Sequence, residues 1–141
     1  MKKGTYYIGD PCYVFGKSWD KVLEEYWQHE GEEFKLLGKL AFIDGTDGGV
    51  GFCYDQDGVE YPVDAGLIGC LPASLLKIDN VVSKKEILEK KFGRIVKFDQ
   101  DFACDSTAHN FTFGHIKIVT NDKDLADLDE DVCECCGHRR G

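Results

Sequence analysis

No apolar run in this chain approaches the roughly 18 residues that a membrane-spanning helix needs. Nor does Met1-Lys2-Lys3-Gly4-Thr5 lead into the apolar stretch and small-residue cleavage site of a secretory signal. The expected location is therefore the cytosol. Also missing are a Walker phosphate loop, a GxGxxG dinucleotide fingerprint, HExxH and GxSxG. Those gaps count against ordinary nucleotide hydrolysis and hydride transfer. Positive charge is scarce as well, with 17 Lys and Arg against 26 Asp and Glu, a net charge of −9. Nucleic-acid affinity comes from neutralising phosphates, and no basic stripe is present, so an extended nucleic-acid surface is not expected. A compact site for one small anion needs only a few N–H groups and one or two cations, and stays open.

The chain does have enough length for one domain and an ordinary core: 141 residues, 43% hydrophobic and 12% aromatic. Its seven cysteines are an odd number without an export signal. They read as buried thiols, metal ligands or a reactive group rather than as a disulfide framework. Cys53 and Cys70 lie inside apolar strand patterns, where a thiol packs as a small hydrophobe.

Two helices are expected, at about 18–30 and 83–92. In the first, Trp19, Val22, Leu23, Tyr26 and Trp27 share one face, Ser18 is the N-cap and Gly31 a stop. In the second, Ser83-Lys84-Lys85-Glu86 is a capping box, Val82 and Ile87 form a hydrophobic staple, and Gly93 stands as the left-handed terminator. Most of the remainder reads as β. "LLGKLAFI" (36–43) favours a single strand, and residues 50–54 and 59–63 form a hairpin about Asp57-Gly58, with Pro62 pointing to an edge. "LIGCLP" is a further strand. "RIVKF" and "FTFGHIKIVT" read as a late antiparallel pair, with a bulge at Gly114 placing Phe111, Phe113, Ile116 and Ile118 on one face. The fold class is α+β: a single domain at 1–121, mainly antiparallel sheet with two helices, then an acidic Cys-rich tail at 122–141.

Four places hold residues of chemical interest. Gly9-Asp10-Pro11-Cys12-Tyr13 interrupts a strand with an acid, an imide and a thiol; it is either a turn or the edge of a pocket. Asp64-Ala65-Gly66 repeats the Asp-plus-Gly pattern, and two nearby carboxylates make a candidate acid/base pair. His115 follows Gly114 in an apolar strand. It becomes a proton shuttle if Asp10 or Asp64 reaches it, and with His109 it would supply an acid and a base for hydrolysing a phosphodiester without metal. Asp10, Asp64 and His115 are the candidate catalytic set. Cys12, Tyr13, Lys39, Arg94, Lys97 and Lys117 are the candidate binding set. At the tail, Cys133, Cys135, Cys136 and His138 offer thiolate and imidazole ligands suited to zinc. Four ligands so close together cannot easily surround one ion, so Cys104 or His109 would have to join from the body; the alternative is an acidic tail with adventitious metal affinity.

"IGDPCYV", the "SW" helix start, the Gly-rich hairpin, "VDAGLIG" and "FGHI", spread over residues 5–119, resemble a family of small bacteriophage accessory proteins. The resemblance implies a context of host counter-defence, in which such proteins sequester or cleave nucleotide signals, or block a host enzyme. The expectation is thus a protein that recognises a small nucleotide-derived signal and sequesters or hydrolyses it. The alternative is an acidic module that binds and inhibits a host protein through its charged tail.

Overall fold

The computed structural model describes residues 1–46, 51–107 and 110–119. Among them, ten strands form two antiparallel five-stranded sheets. The strands are β1 (Gly4–Gly9), β2 (Glu33–Leu36), β3 (Lys39–Gly45), β4 (Gly51–Asp55), β5 (Glu60–Val63), β6 (Leu67–Pro72), β7 (Gly93–Phe98), β8 (Cys104–Thr107), β9 (Asn110–Phe113) and β10 (Ile116–Val119). The first sheet runs β2-β3-β6-β1-β7 and the second β5-β4-β10-β9-β8. The helices are α1 (Trp19–Trp27) and α2 (Lys84–Lys90). No helix among the described residues is long and apolar enough to cross a membrane.

Three layers explain the sequence patterns. Tyr6, Ile8, Phe42, Cys70 and Phe98 of the first sheet pack against Cys53, Tyr61, Phe111, Phe113, Ile116 and Ile118 of the second. On the first sheet's other face, Tyr7, Ala41, Ile43 and Leu71 meet Val22 and Tyr26 of α1 and Ile87 of α2. Strands β1 and β6 are therefore covered on both sides and read as continuous apolar runs, whereas β2 and β5 alternate. Each large side chain taken fully out of water in this way contributes about 1.5–3 kcal/mol.

Local signals were the most dependable. Ser83 and Glu86 exchange both bonds of the capping box, and Val82 and Ile87 are both buried. The Asp57-Gly58 hairpin forms β4–β5, and Pro62 does lie on an edge strand. Several expectations need correction. "LLGKLAFI" is a hairpin, because Leu37 (φ 50°) and Gly38 (φ 87°) both take positive φ and reverse the chain between β2 and β3. Lys91 (φ 57°), not Gly93, is the left-handed residue that ends α2. Helix α1 stops at Trp27 rather than at about residue 30, and Trp27, expected on the apolar face, is 61% exposed. Ser18 makes no cap bond; its hydroxyl donates to Asp79, whose carboxylate also accepts from the Gly16 and Ser18 N–H groups.

Strand β7 does not pair with the 111–119 segment. It joins β1 along six residue pairs, from Gly4 opposite Phe98 to Gly9 opposite Gly93. The 111–119 segment is itself a hairpin, β9–β10, closed by Gly114 (φ 61°) and His115. A reversal replaces the expected bulge, with the expected consequence: Phe111, Phe113, Ile116 and Ile118 all face the core.

Candidate functional site

At the end of β1, Tyr7 lies across the Gly9–Gly93 pair. A Cβ on Gly9 would stand 2.5 Å from the Tyr7 hydroxyl oxygen, so the close approach requires glycine. That hydroxyl, buried with its ring, donates to the carbonyls of Asp10 (2.9 Å) and Phe92 (3.1 Å). Asp10 is fully buried. Its Oδ1 accepts from the Cys12 N–H (2.9 Å), and its Oδ2 from the N–H groups of Asp64 (2.9 Å) and Ala65 (2.8 Å). The interruption in "IGDPC" is thus a corner whose acid satisfies three backbone donors and ties two loops together.

The neighbours of Asp10 fit that reading. Burial, with Asp10 beside it, pushes the Cys12 thiol up to about 12, so the sulfur stays protonated near neutral pH and is a poor nucleophile. Tyr13 stacks on Phe92 with centroids 4.7 Å apart, and burial together with a hydrogen bond to Asp64 raises its hydroxyl above the usual range.

The structure brings Asp10 to the 64–66 segment but places His115 elsewhere. His115 is the exposed second residue of the β9–β10 turn, its ring edge-on to Phe98 at 5.4 Å. Phe98 pairs with Gly4, at the opposite end of β1 from Asp10. Five residues of strand separate those ends, about 17 Å. The expected grouping of His115 with either carboxylate does not form, because the 64–66 segment is tied to Asp10 at one end of β1 and His115 lies beside the other end.

The candidate cations are likewise dispersed. Lys39 is exposed at the β2–β3 hairpin, Lys117 on β10, and Lys97 on β7 beside a hollow of about 310 Å³ that also holds Phe102 and His115. Arg94 alone among them sits in a built charge cluster. From β7 it reaches across to the second sheet, where Nη1 donates to Asp55 Oδ2 (2.6 Å) and Asp57 Oδ2 (3.0 Å). Asp55 is only 2% exposed. It also accepts from the Tyr61 hydroxyl (2.6 Å) and the N–H groups of Asp57 (2.9 Å) and Val59 (3.0 Å). Burial works against the charge on Arg94, but its bonds to Asp55 and Asp57 outweigh that and hold the guanidinium above its usual range. Burial and then the bond to Asp55 raise the Tyr61 hydroxyl.

Beside this cluster lies a cavity of about 450 Å³, lined by Tyr54, Val59, Glu60, Leu88, Lys91 and Arg94. The Tyr54 hydroxyl donates to Glu60 Oε2 (3.1 Å). The cavity therefore combines an aromatic face and apolar walls with two cations and an acceptor, a composition suited to a small ligand. A hollow of about 490 Å³ near Met1 is less suitable, since its charges are already paired: the Met1 amine with Glu33, and Lys2 with Asp101. Of the cavity's walls only Arg94 stood among the sequence candidates. Tyr54 and Glu60 are outward positions of a hairpin, and Leu88 and Lys91 close a helix; no local pattern joins the two.

The zinc candidates Cys133, Cys135, Cys136 and His138 lie outside the described residues, as does His109. Cys104, their suggested helper, packs on β8 against the core that contains Cys70. Among the described residues no group of three or more His, Cys, Asp or Glu side chains is placed to hold a metal ion. No protein-family model, curated protein or solved structure matches this chain.

Proposed function

We propose that the chain is an accessory protein of the bacteriophage type its motifs resemble, acting in the host cytosol to hold a small nucleotide-derived signalling molecule. The observation that carries this reading is the cavity between the β4–β5 hairpin and the α2–β7 junction. Its volume of about 450 Å³ lies in the usual range for small-ligand sites, about 300–1,000 Å³. Tyr54 offers a face for a base, Lys91 offers charge for a phosphate, and Arg94 forms part of the wall beside them. Holding is favoured over cleaving because His115 lies at the opposite end of β1 from Asp10, and none of Asp10, Asp64 and His115 lines this cavity.

The test is to incubate the full chain with a panel of cyclic and ADP-ribose-type nucleotides, then denature it and analyse what is released. Intact ligand, lost in a Tyr54→Ala variant that still folds, is the expected result. New products would show hydrolysis in place of sequestration. No retained ligand across the panel would remove the reading.

A second reading is the acidic module that binds and inhibits a host protein. It is favoured by the net charge of −9 and by Phe52, which stands 60% exposed on β4. Deleting residues 122–141 separates its two forms. Inhibition that survives the deletion would exclude the tail as the working surface and turn attention to Phe52.

A further inference from the structure

The charges around the cavity do not count equally. Arg94 is shared between Asp55 and Asp57, so its positive charge is already more than matched by two carboxylates. Glu60 adds a third negative group at the wall, and its carboxylate already accepts the Tyr54 hydroxyl. Lys91 has no carboxylate partner among the described residues, and its backbone at φ 57° fixes it at the turn where α2 hands over to β7. Two cations thus face three acids, and a single cation is left to meet an anion. Once Arg94 is counted against Asp55 and Asp57, a polyphosphate entering here would gain one attractive partner, Lys91, while approaching two uncompensated negative charges.

Resting on the nucleotide-binding reading above, we infer that the cavity selects a mononucleotide carrying a single negative charge, a phosphodiester, over nucleotides with two or more. The phosphodiester pairs with Lys91, the base lies on Tyr54, and Glu60 takes a hydrogen bond from an amino group on the base. A purine with an exocyclic amine meets that last requirement, and one with a carbonyl in the same place meets Glu60 with a second acceptor. Arg94 then acts as a wall held rigid by Asp55 and Asp57 rather than as the phosphate clamp.

The experiment is a calorimetric titration of the full chain with four probes that share adenine and differ in charge: adenosine, 3′,5′-cyclic AMP, AMP and ADP. Cyclic AMP is expected to bind tightest, about tenfold or more ahead of ADP. Lys91→Gln, at an exposed position, should raise the cyclic AMP dissociation constant about tenfold and leave adenosine unchanged. Glu60→Gln should reduce the preference for cyclic AMP over cyclic IMP. ADP binding as tightly as cyclic AMP, or a Lys91→Gln variant that keeps wild-type affinity for cyclic AMP, would overturn the charge selection while leaving nucleotide binding standing. If none of the four probes nor any member of the wider panel binds, the functional reading itself falls, and this inference with it.

Discussion

Asp10 and Asp55 are the two buried charged side chains among the described residues, and their charges are met in opposite ways. Asp10 is surrounded by backbone N–H groups from two loops beside one end of the first sheet. Asp55 accepts from two N–H groups of its own turn, but also from a tyrosine hydroxyl and from a guanidinium that arrives from the other sheet. The first arrangement defines a corner and commits both carboxylate oxygens to the backbone. The second forms the back wall of a cavity and determines how much positive charge that cavity can show. A buried acid in a β-rich domain is therefore informative mainly through the kind of donor that answers it.

The sharpest way to break the comparison is to remove Asp10. Asp10→Ala leaves three N–H groups facing a void, and unsatisfied buried donors cost about 1–3 kcal/mol each. A loss of about 3–5 kcal/mol is expected, since some of those groups will reach water. Urea unfolding measures it, and a loss under about 1 kcal/mol would show that the corner does not depend on its acid. The nucleotide binding proposed above should be unchanged in the folded fraction.

Next in size is Arg94. Arg94→Met strands a buried carboxylate and should cost about 2–4 kcal/mol, somewhat below the range for a fully buried pair because Arg94 is partly exposed. Adding Asp55→Asn to it should restore part of the loss. Additive costs in the double variant would mean that the cross-sheet pair is not coupled, and that Asp55 resembles Asp10 after all.

How much of this was legible in the sequence depended on distance along the chain. The capping box spans Ser83 to Glu86 and the β4–β5 turn spans a few residues; both follow from local chemistry. The approach of Asp10 to 64–66 was readable in part, because two Asp-plus-Gly interruptions flank strands and the structure pairs β1 with β6 directly. Leu37 at positive φ hid a turn inside an apolar run, since leucine gives no turn signal. The partners of Arg94 lie 37 and 39 residues away on another sheet. No periodicity encodes that meeting, and the placement of His115 failed for the same reason: pairing β7 with β1 rather than with the last hairpin sends it to the other end.

Cys12 sharpens the comparison without perturbing the fold. With its thiol pushed up to about 12, Cys12 should be alkylated by iodoacetamide at pH 8 about 10³-fold more slowly than a free thiol of ordinary pKa, and still more slowly if access is limited. Between pH 8 and pH 10 the rate should climb about tenfold per unit rather than level off. Peptide mass spectrometry reads the site directly, and labelling of Cys12 at the rate of glutathione would mean that the corner holds a reactive thiolate.

The smallest effect separates the two tyrosines. Tyr7→Phe removes a neutral donor from two backbone carbonyls, at about 1 kcal/mol, while Tyr61→Phe removes a donor from a carboxylate, at about 1.5–3 kcal/mol. Both hydroxyls are raised, first by burial and then by a neighbouring aspartate, Asp10 for Tyr7 and Asp55 for Tyr61. A folded value above the unfolded one means that stability is intact below the ordinary tyrosine range and is lost as pH rises through it. From about pH 10 upward, each such tyrosine should take away about 1.4 kcal/mol per pH unit, as the unfolded chain alone gives up its proton. Either Phe variant should therefore start less stable at pH 7 and decline less steeply between pH 10 and 11. The two stability curves, each against wild type, should converge with rising pH. A Tyr61→Phe curve that stayed parallel to wild type through that range would mean that the hydroxyl on Asp55 ionises in the folded protein as readily as in the unfolded chain, and that the Arg94 charge dominates its surroundings.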